Sequence, residues 1–287
     1  MNLSSMEFTN KTNSLEKEII QESRAFSKVS SFWKMYKLFP IALVFIFSFS
    51  ISAQGFDHSH SEFDTILKKY VVNGFVKYKV LSKDRAPLTN YLKTLSSVST
   101  NEYKDFNKNQ KMAFLINAYN AFTIELILNN YPIKSIGDIG GPIRLVNLAR
   151  GAPWKNYKFP LLGADRTLDW IEHSKLRIDF NDPRIHFAIN CASIGCPALR
   201  KESYKAKNLD AQLQDGLVKF LTDKSKNTYN KEKKELTLSK IFDWFKSDFE
   251  KKSGSVIQFI QPAFSETIDP KADIEYSDYD WNLNEGK

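Results

Sequence analysis

Cysteine is almost absent from this sequence: its 287 residues hold only two, Cys191 and Cys196. With no second pair, a C-x4-C spacing is neither that of a zinc ribbon nor that of a C-x-x-C redox centre, and neither a metal nor another cofactor is expected. Histidine is scarce as well, at four. No internal repeat or low-complexity tract occurs, so a repeat array is not expected. Blocks of like charge are missing too. The formal charge is +8, but residues 1–53 contain six Lys/Arg and four Glu, so the remainder keeps +6, scattered beside acids as in Lys231-Glu-Lys-Lys-Glu235. Charge mixed in this way solvates a surface, and nucleic acid is not an expected partner.

Near the front, residues 38–47 form an uncharged apolar run that is too short for a comfortable membrane span. Lys34 and Lys37 precede it, and small residues follow from Ser48 to Ala53. That order is the pattern of a secretory signal peptide. No cysteine lies near the cleavage point, which excludes a lipoprotein anchor. Met35 begins a signal peptide of ordinary length, so residues 1–34 are expected to be a misassigned N-terminal extension and 35–53 the signal peptide. Residues 54–287 are then a single exported domain, periplasmic or extracellular. Membrane contact is expected only through an uncleaved signal segment.

What the chain does have is concentrated in residues 184–200, which carry both cysteines and one histidine. Ile185 to Ile189 has the length and apolar density of a buried strand. A turn of small residues follows, and Pro197 after Cys196 suits a first helical position. The expectation is strand, tight turn and helix start, with Cys196 near the N-cap, where helix-terminal N–H groups favour a thiolate. In a regular strand His186 and Cys191 point to opposite faces, so a base for Cys191 has to come from elsewhere unless the chain bends. Two cysteines in an exported protein ask for a disulfide; free thiols are the alternative.

Elsewhere the pattern is helical. Helices are expected at 63–72, 87–95, 209–221, 240–249 and 256–260, with short strands at 75–80 and 157–162, a hairpin at 229–238 and an edge strand in 274–284. His58 and His60 read as a solvated loop. Residues 109–130 carry the longest helical signal and are apolar nearly all round between Met112 and Leu128, so this helix belongs in the core. Asn117 and Asn120 share one of its faces; buried amides need partners, either neighbouring backbone or a bound carbonyl. Residues 133–163 are rich in glycine and proline, and Trp154 within them either covers a cleft or fills the core edge. Thr167 caps a helix bearing Glu172 and His173. Together these segments describe an α+β, helix-rich single domain, with a central buried helix packed on a small, mostly antiparallel sheet.

Five ordered motifs, Ala113-Phe-Leu-Ile-Asn-Ala-Tyr-Asn-Ala121, Ile171-Glu-His173, Asp182-Pro-Arg-Ile-His-Phe-Ala-Ile-Asn-Cys191, Cys196-Pro197 and Tyr279-Asp-Trp-Asn-Leu-Asn284, make the chain resemble the DUF547 family across roughly residues 60–284. This is a domain of unknown function met in bacterial exported proteins and in plant proteins. The resemblance implies a papain-like or transglutaminase-like cysteine fold. It also implies Cys191 as nucleophile, since plant relatives often carry serine at the position of Cys196. Here both candidate histidines precede the thiols, unlike the papain-like order; triads do recur in different chain orders.

Two functions follow. One is a thiol-dependent hydrolase or acyl-transferase acting on an amide or peptide. Cys191 is then the nucleophile, His173 the preferred base and His186 the alternative, Glu172 or Asn190 the orienter, and Asn117 or Asn120 the oxyanion donor. Tyr119, Cys196 and Arg184 complete the candidate set. The other is a non-catalytic envelope domain that binds a ligand or peptide, in which the same residues are structure. In both, the expected partner is a small peptide or a thiol or amide compound.

Overall fold

The structure is a computed structural model and describes residues 55–286. The expected extension and signal peptide lie outside those residues. Helices α1 (Ser61–Tyr70), α2 (Tyr78–Leu81), α3 (Ala86–Ser97) and α4 (Thr100–Asp105) lead into α5 (Lys108–Asn130). Asn107 starts α5 with a capping box: its side chain accepts from the Gln110 amide, and the Gln110 side chain accepts from the Asn107 amide. Nearly every residue from Met112 to Leu128 is buried, Glu125 apart. Each fully buried Leu, Ile or Phe adds roughly 1.5–3 kcal/mol, so this helix anchors the fold. The helix is long and apolar enough to cross a membrane, yet its surroundings are protein.

Strands are short and fall into three small sheets. β1 (Val71–Val72) pairs with β2 (Phe75–Val76), and β3 (Phe159–Leu161) with β4 (Ala164–Arg166), both antiparallel. The second hairpin turns through Leu162 and Gly163, both at positive φ, which a two-residue turn of this hand requires. β5 (Thr228–Asn230) pairs antiparallel with β6 (Glu235–Leu238), and β7 (Asp273–Tyr276) runs parallel to β6. Between these lie α6 (Arg144–Arg150), α7 (Ala152–Lys155), α8 (Arg177–Phe180), α9 (Leu209–Thr222), α10 (Ile241–Trp244), α11 (Lys246–Ser253) and α12 (Val256–Ile260). The molecule is therefore helix-rich α+β around a central buried helix, as its patterning predicts.

Apolar side chains gather into two cores, one around α5 and one around Phe187, Phe220, Phe242 and Phe249. The join between them is the stretch expected to be a strand. It is a 3-10 helix, Pro183–Phe187. Asp182 accepts from the Arg184 amide at 3.1 Å, Pro183 presets φ at the first position, and the Ala188 amide bonds Ile185 O at 2.9 Å. Local capping outweighs the apolar run. Ile185 consequently enters the first core and Phe187 the second. The helix expected after Cys196 is absent as well: Pro197 O accepts from the Asn190 side chain at 2.8 Å, and the chain stays irregular to Lys205. Cys196 thus has no helix terminus beside it. His58 and His60 also differ from the solvated loop expected of them. His60 is buried, with Nδ1 2.7 Å from the Tyr91 hydroxyl, and the His58 ring packs on Phe106.

Candidate functional site

Residues 168–180 carry the first part of the site. The Thr167 hydroxyl accepts the Trp170 amide at 3.1 Å, and the following turns widen into a π-helix, Trp170–Leu176. The Arg177 amide reaches back five residues to Glu172 O. Such a bulge is rare and often marks a functional site. It turns Ile171 and the neighbouring Glu172 both inward.

The second part is the loop after the 3-10 helix. Asn190 and Asn120 hold it. Asn120 donates to Ala188 O at 3.0 Å and accepts from the Asn190 amide at 2.8 Å. Asn190 Oδ1 in turn accepts from the Ala192 amide and from Asn284 Nδ2, at 2.8 and 3.2 Å. The loop closes with a Cys191–Cys196 disulfide whose Cα atoms are 6.2 Å apart. From the C-terminus, Tyr279–Asn284 docks along it: the amides of Gly195 and Ile194 donate to Asp280 O and Asn282 O, and Ser193 bridges Leu283. The Tyr279 ring lies so close to Gly195 that a Cβ there would come within 2.9 Å of it.

These parts surround a cavity of about 290 Å³. Among the residues singled out from the sequence, Tyr119, Glu172, His173, His186, Cys191 and Cys196 line it. Trp154, Trp244, Phe245, Tyr279 and Trp281 supply aromatic wall. Asn117, Asn120, Asn190 and Arg184 do not line it. Asn117 spends both ends of its amide on the Tyr204 backbone, at 2.8 and 2.9 Å. Arg184 pairs with Asp182 and Asp210, not with Glu172. The asparagines therefore splice loops and are spent as oxyanion donors, and Asn190 does not orient a histidine.

Electrostatics separate the two histidines. His173 Nδ1 is 2.9 Å from an Arg177 nitrogen that can only donate, so Nδ1 accepts and its proton sits on Nε2, toward Asp169 at 3.7 Å. His186 is buried and stacks on Phe245, with centroids 3.8 Å apart. Its Nε2 donates to Asp248 Oδ2 at 2.8 Å, and Arg177 binds the same carboxylate twice, at 2.7 and 2.8 Å. Burial alone would raise the Asp248 carboxyl, but hydrogen bonds and charge from His186 and Arg177 hold it well below the usual range. Burial lowers His186, against the pull of Asp248. His186 Nδ1 has no hydrogen-bond partner among the described residues and lies 3.9 Å from Glu172 Oε1. Burial pushes the Glu172 carboxyl up to about 7, with the Arg177 charge and the Tyr119 hydroxyl acting against it.

Around the disulfide, Ser193 Oγ and Tyr279 Oη lie 2.9 and 3.1 Å from Cys191 Sγ, and the Cys191 amide donates to Cys196 Sγ at 2.8 Å. Sequence reasoning did not single out Asp248, Ser193, Tyr279, Trp244 or Trp281 as site residues. Tyr279 and Trp281 sat within a quoted motif, and their aromatic character was the available signal. Asp248 stands among lysine, serine and glutamate on a surface helix, and nothing local distinguishes it. Trp154, read as cleft cover or core edge, lines the cavity. Chemically, the arrangement offers an imidazole with its proton fixed on one nitrogen and a lone pair on the other. It adds a carboxyl able to hold a proton near neutrality, and a sulfur pair that is electrophilic when oxidised and nucleophilic when reduced.

No curated protein and no solved structure matches the chain. The family model described as "Protein of unknown function, DUF547" matches residues 103–221. That similarity supports the DUF547 resemblance over the segment that carries α5, the π-helix and the disulfide loop.

Proposed function

We propose that the cavity is a thiol-dependent site for hydrolysis or acyl transfer on an amide or peptide, with the closed disulfide as its resting form. The observation that carries this reading is His186, held by Asp248 through Nε2 and with Nδ1 unpartnered among the described residues, lining the same cavity as Cys191. Export, expected from residues 35–53, keeps the pair closed until two equivalents of a small thiol reduce it and leave as a disulfide. The Cys191 sulfur then attacks the amide carbon while its proton passes to His186 Nδ1. The C–N bond breaks, the amine leaves with that proton, and water or a second amine takes the acyl group from the thioester. Ser193 and Tyr279 donate to the thiolate. The protonated Glu172 carboxyl fills the role of oxyanion donor that the asparagines cannot. His186 replaces His173 as the base, because Arg177 occupies the His173 lone pair.

The Cys196→Ser variant tests this, since it frees Cys191 without reductant. Its iodoacetamide labelling should show a midpoint at least one pH unit below the ordinary thiol value of about 8.5, and Asp248→Asn should move that midpoint back up. An ordinary midpoint in Cys196→Ser, unmoved by Asp248→Asn, defeats the catalytic reading. The closed disulfide and the aromatic wall favour a second reading, in which the oxidised cavity binds a peptide or small ligand without turning it over.

A further inference from the structure

α6 stands at the rim of the cavity. It turns Asn147 inward, where the amide donates to Gly137 O and Gly141 O, both at 2.9 Å, and Leu148 faces the cavity. Its other face is apolar and open to solvent: Leu145 is 76% exposed, Val146 38%, and Ile143 just before the helix 59%. Trp244, another cavity residue, is 44% exposed and stacks on Trp281, whose ring in turn meets Trp154 of the segment that carries α6.

We infer that this rim docks on an anionic bilayer surface, setting the mouth of the cavity at the level of the lipid headgroups. Charge is the first reason. Residues 133–158 contain Lys134, Arg144, Arg150, Lys155 and Lys158 against a single acid, Asp138. Arg144 pairs with Asp138 at 2.7 Å, so the exposed Lys134, Arg150, Lys155 and Lys158 have no acid in the segment to offset them. A short helix with apolar side chains outward, basic residues beside them and a tryptophan at the edge is the composition of an interfacial element. Size is the second reason. Four apolar side chains fall far short of the roughly 20–30 residues a side that a stable protein interface uses, whereas membrane insertion of a few side chains plus basic contacts is additive. Continuity is the third: Leu148, Ala149, Gly151 and Lys155 belong both to this segment and to the cavity wall. Docking there would give the cavity access to amphiphilic ligands held in the interface. Patterning limits membrane contact to the apolar run 38–47; this surface is separate from it and independent of the sulfur chemistry.

The test uses the full chain with Trp33→Phe, so that residues 1–53, which include the run 38–47, carry no tryptophan reporter. Tryptophan fluorescence is followed on vesicles of mixed phosphatidylglycerol and phosphatidylcholine with brominated acyl chains. Quenching is expected on these vesicles, weakened by salt, and weaker on pure brominated phosphatidylcholine. Leu145→Asp should reduce the affinity read by quenching at least about tenfold, and Arg150→Glu at least about fivefold. Both sites are exposed, so unchanged circular dichroism certifies the fold. Quenching that is insensitive to both variants overturns the proposal, as does equal quenching on uncharged lipid. A dimer that Leu145→Asp dissolves, without any vesicle quenching, assigns the face to a second copy instead.

Discussion

Glu172 is a buried side chain whose charge conflicts with its surroundings. Its folded pKa, about 7 against an ordinary 4.5, makes a definite pH signature. The protonated carboxyl is favoured in the fold, so its contribution is fully present below about 4.5 and is lost as pH rises through about 7. Glu172→Gln should therefore stabilise the protein at pH 8 by about 1–3 kcal/mol and flatten stability between pH 6 and 8. Urea unfolding at the two pH values measures both. An unchanged slope would mean that Glu172 is solvated. The same scale decides which imidazole is available. One Arg177 side chain serves both histidines, directly at His173 Nδ1 and through Asp248 at His186. It leaves only the second ring with an open lone pair.

Three short elements, each a departure from regular geometry, carry the site: the π-helix, the 3-10 helix and the disulfide loop. Only the central helix they lean on was fully legible beforehand, because a helix apolar nearly all round between Met112 and Leu128 has to keep every face of that run away from water. The 3-10 helix was not. A five-residue stretch with four apolar side chains reads alike in strand and helix, and what decided between them was the Asp182–Pro183 start. The hairpin at 228–238 was legible through its charged turn, whereas α10 and α11 read as one helix because Phe245 at their break continues the apolar stripe. Asn120 fastens the loop to α5 by two backbone bonds. Asn120→Ala should cost about 2–3 kcal/mol in urea unfolding and speed reduction of the disulfide by dithiothreitol, since the loop loses its tether. Unchanged stability and reduction rate would remove Asn120 from that role.

Across the whole molecule, the segment Gly55–His60 is tied to the core by the partly buried Phe56 and the buried His60. Phe56 packs on Phe114 and His60, and burial lowers His60 to about 3. A histidine held neutral must charge on unfolding, so its contribution is fully present above about 6.5 and erodes as pH falls toward 3, by up to about 1.4 kcal/mol per pH unit. His60→Gln should leave only the Glu172 slope between about pH 6.5 and 4.5, so that its melting temperature rises as pH falls where the parent's stays nearly level, read by thermal denaturation. A slope equal to the parent's would place the acid sensitivity elsewhere. Glu172 acts with the opposite sign between about 4.5 and 6.5, so the parent shows a shallower profile than either variant alone reveals.

Local sequence by itself determined the central helix, the longer surrounding helices, the hairpin at 228–238 and a turn between the two cysteines, because periodicity, caps and turn residues act over a few positions; the expected strand at 75–80 instead breaks into β2 and the short helix α2. It also placed Glu172 and His173 in one motif and His186 and Cys191 in another, without saying whether the two meet. Only the tertiary structure decided that they line one cavity, that Asn117 and Asn120 are spent on backbone 87 and 68–70 residues away, that Asp248 reaches His186 across 62 residues, and that Tyr279 closes over the disulfide from the far end of the chain. Long-range partners of that kind leave no trace in local periodicity, since each depends on where two distant segments pack.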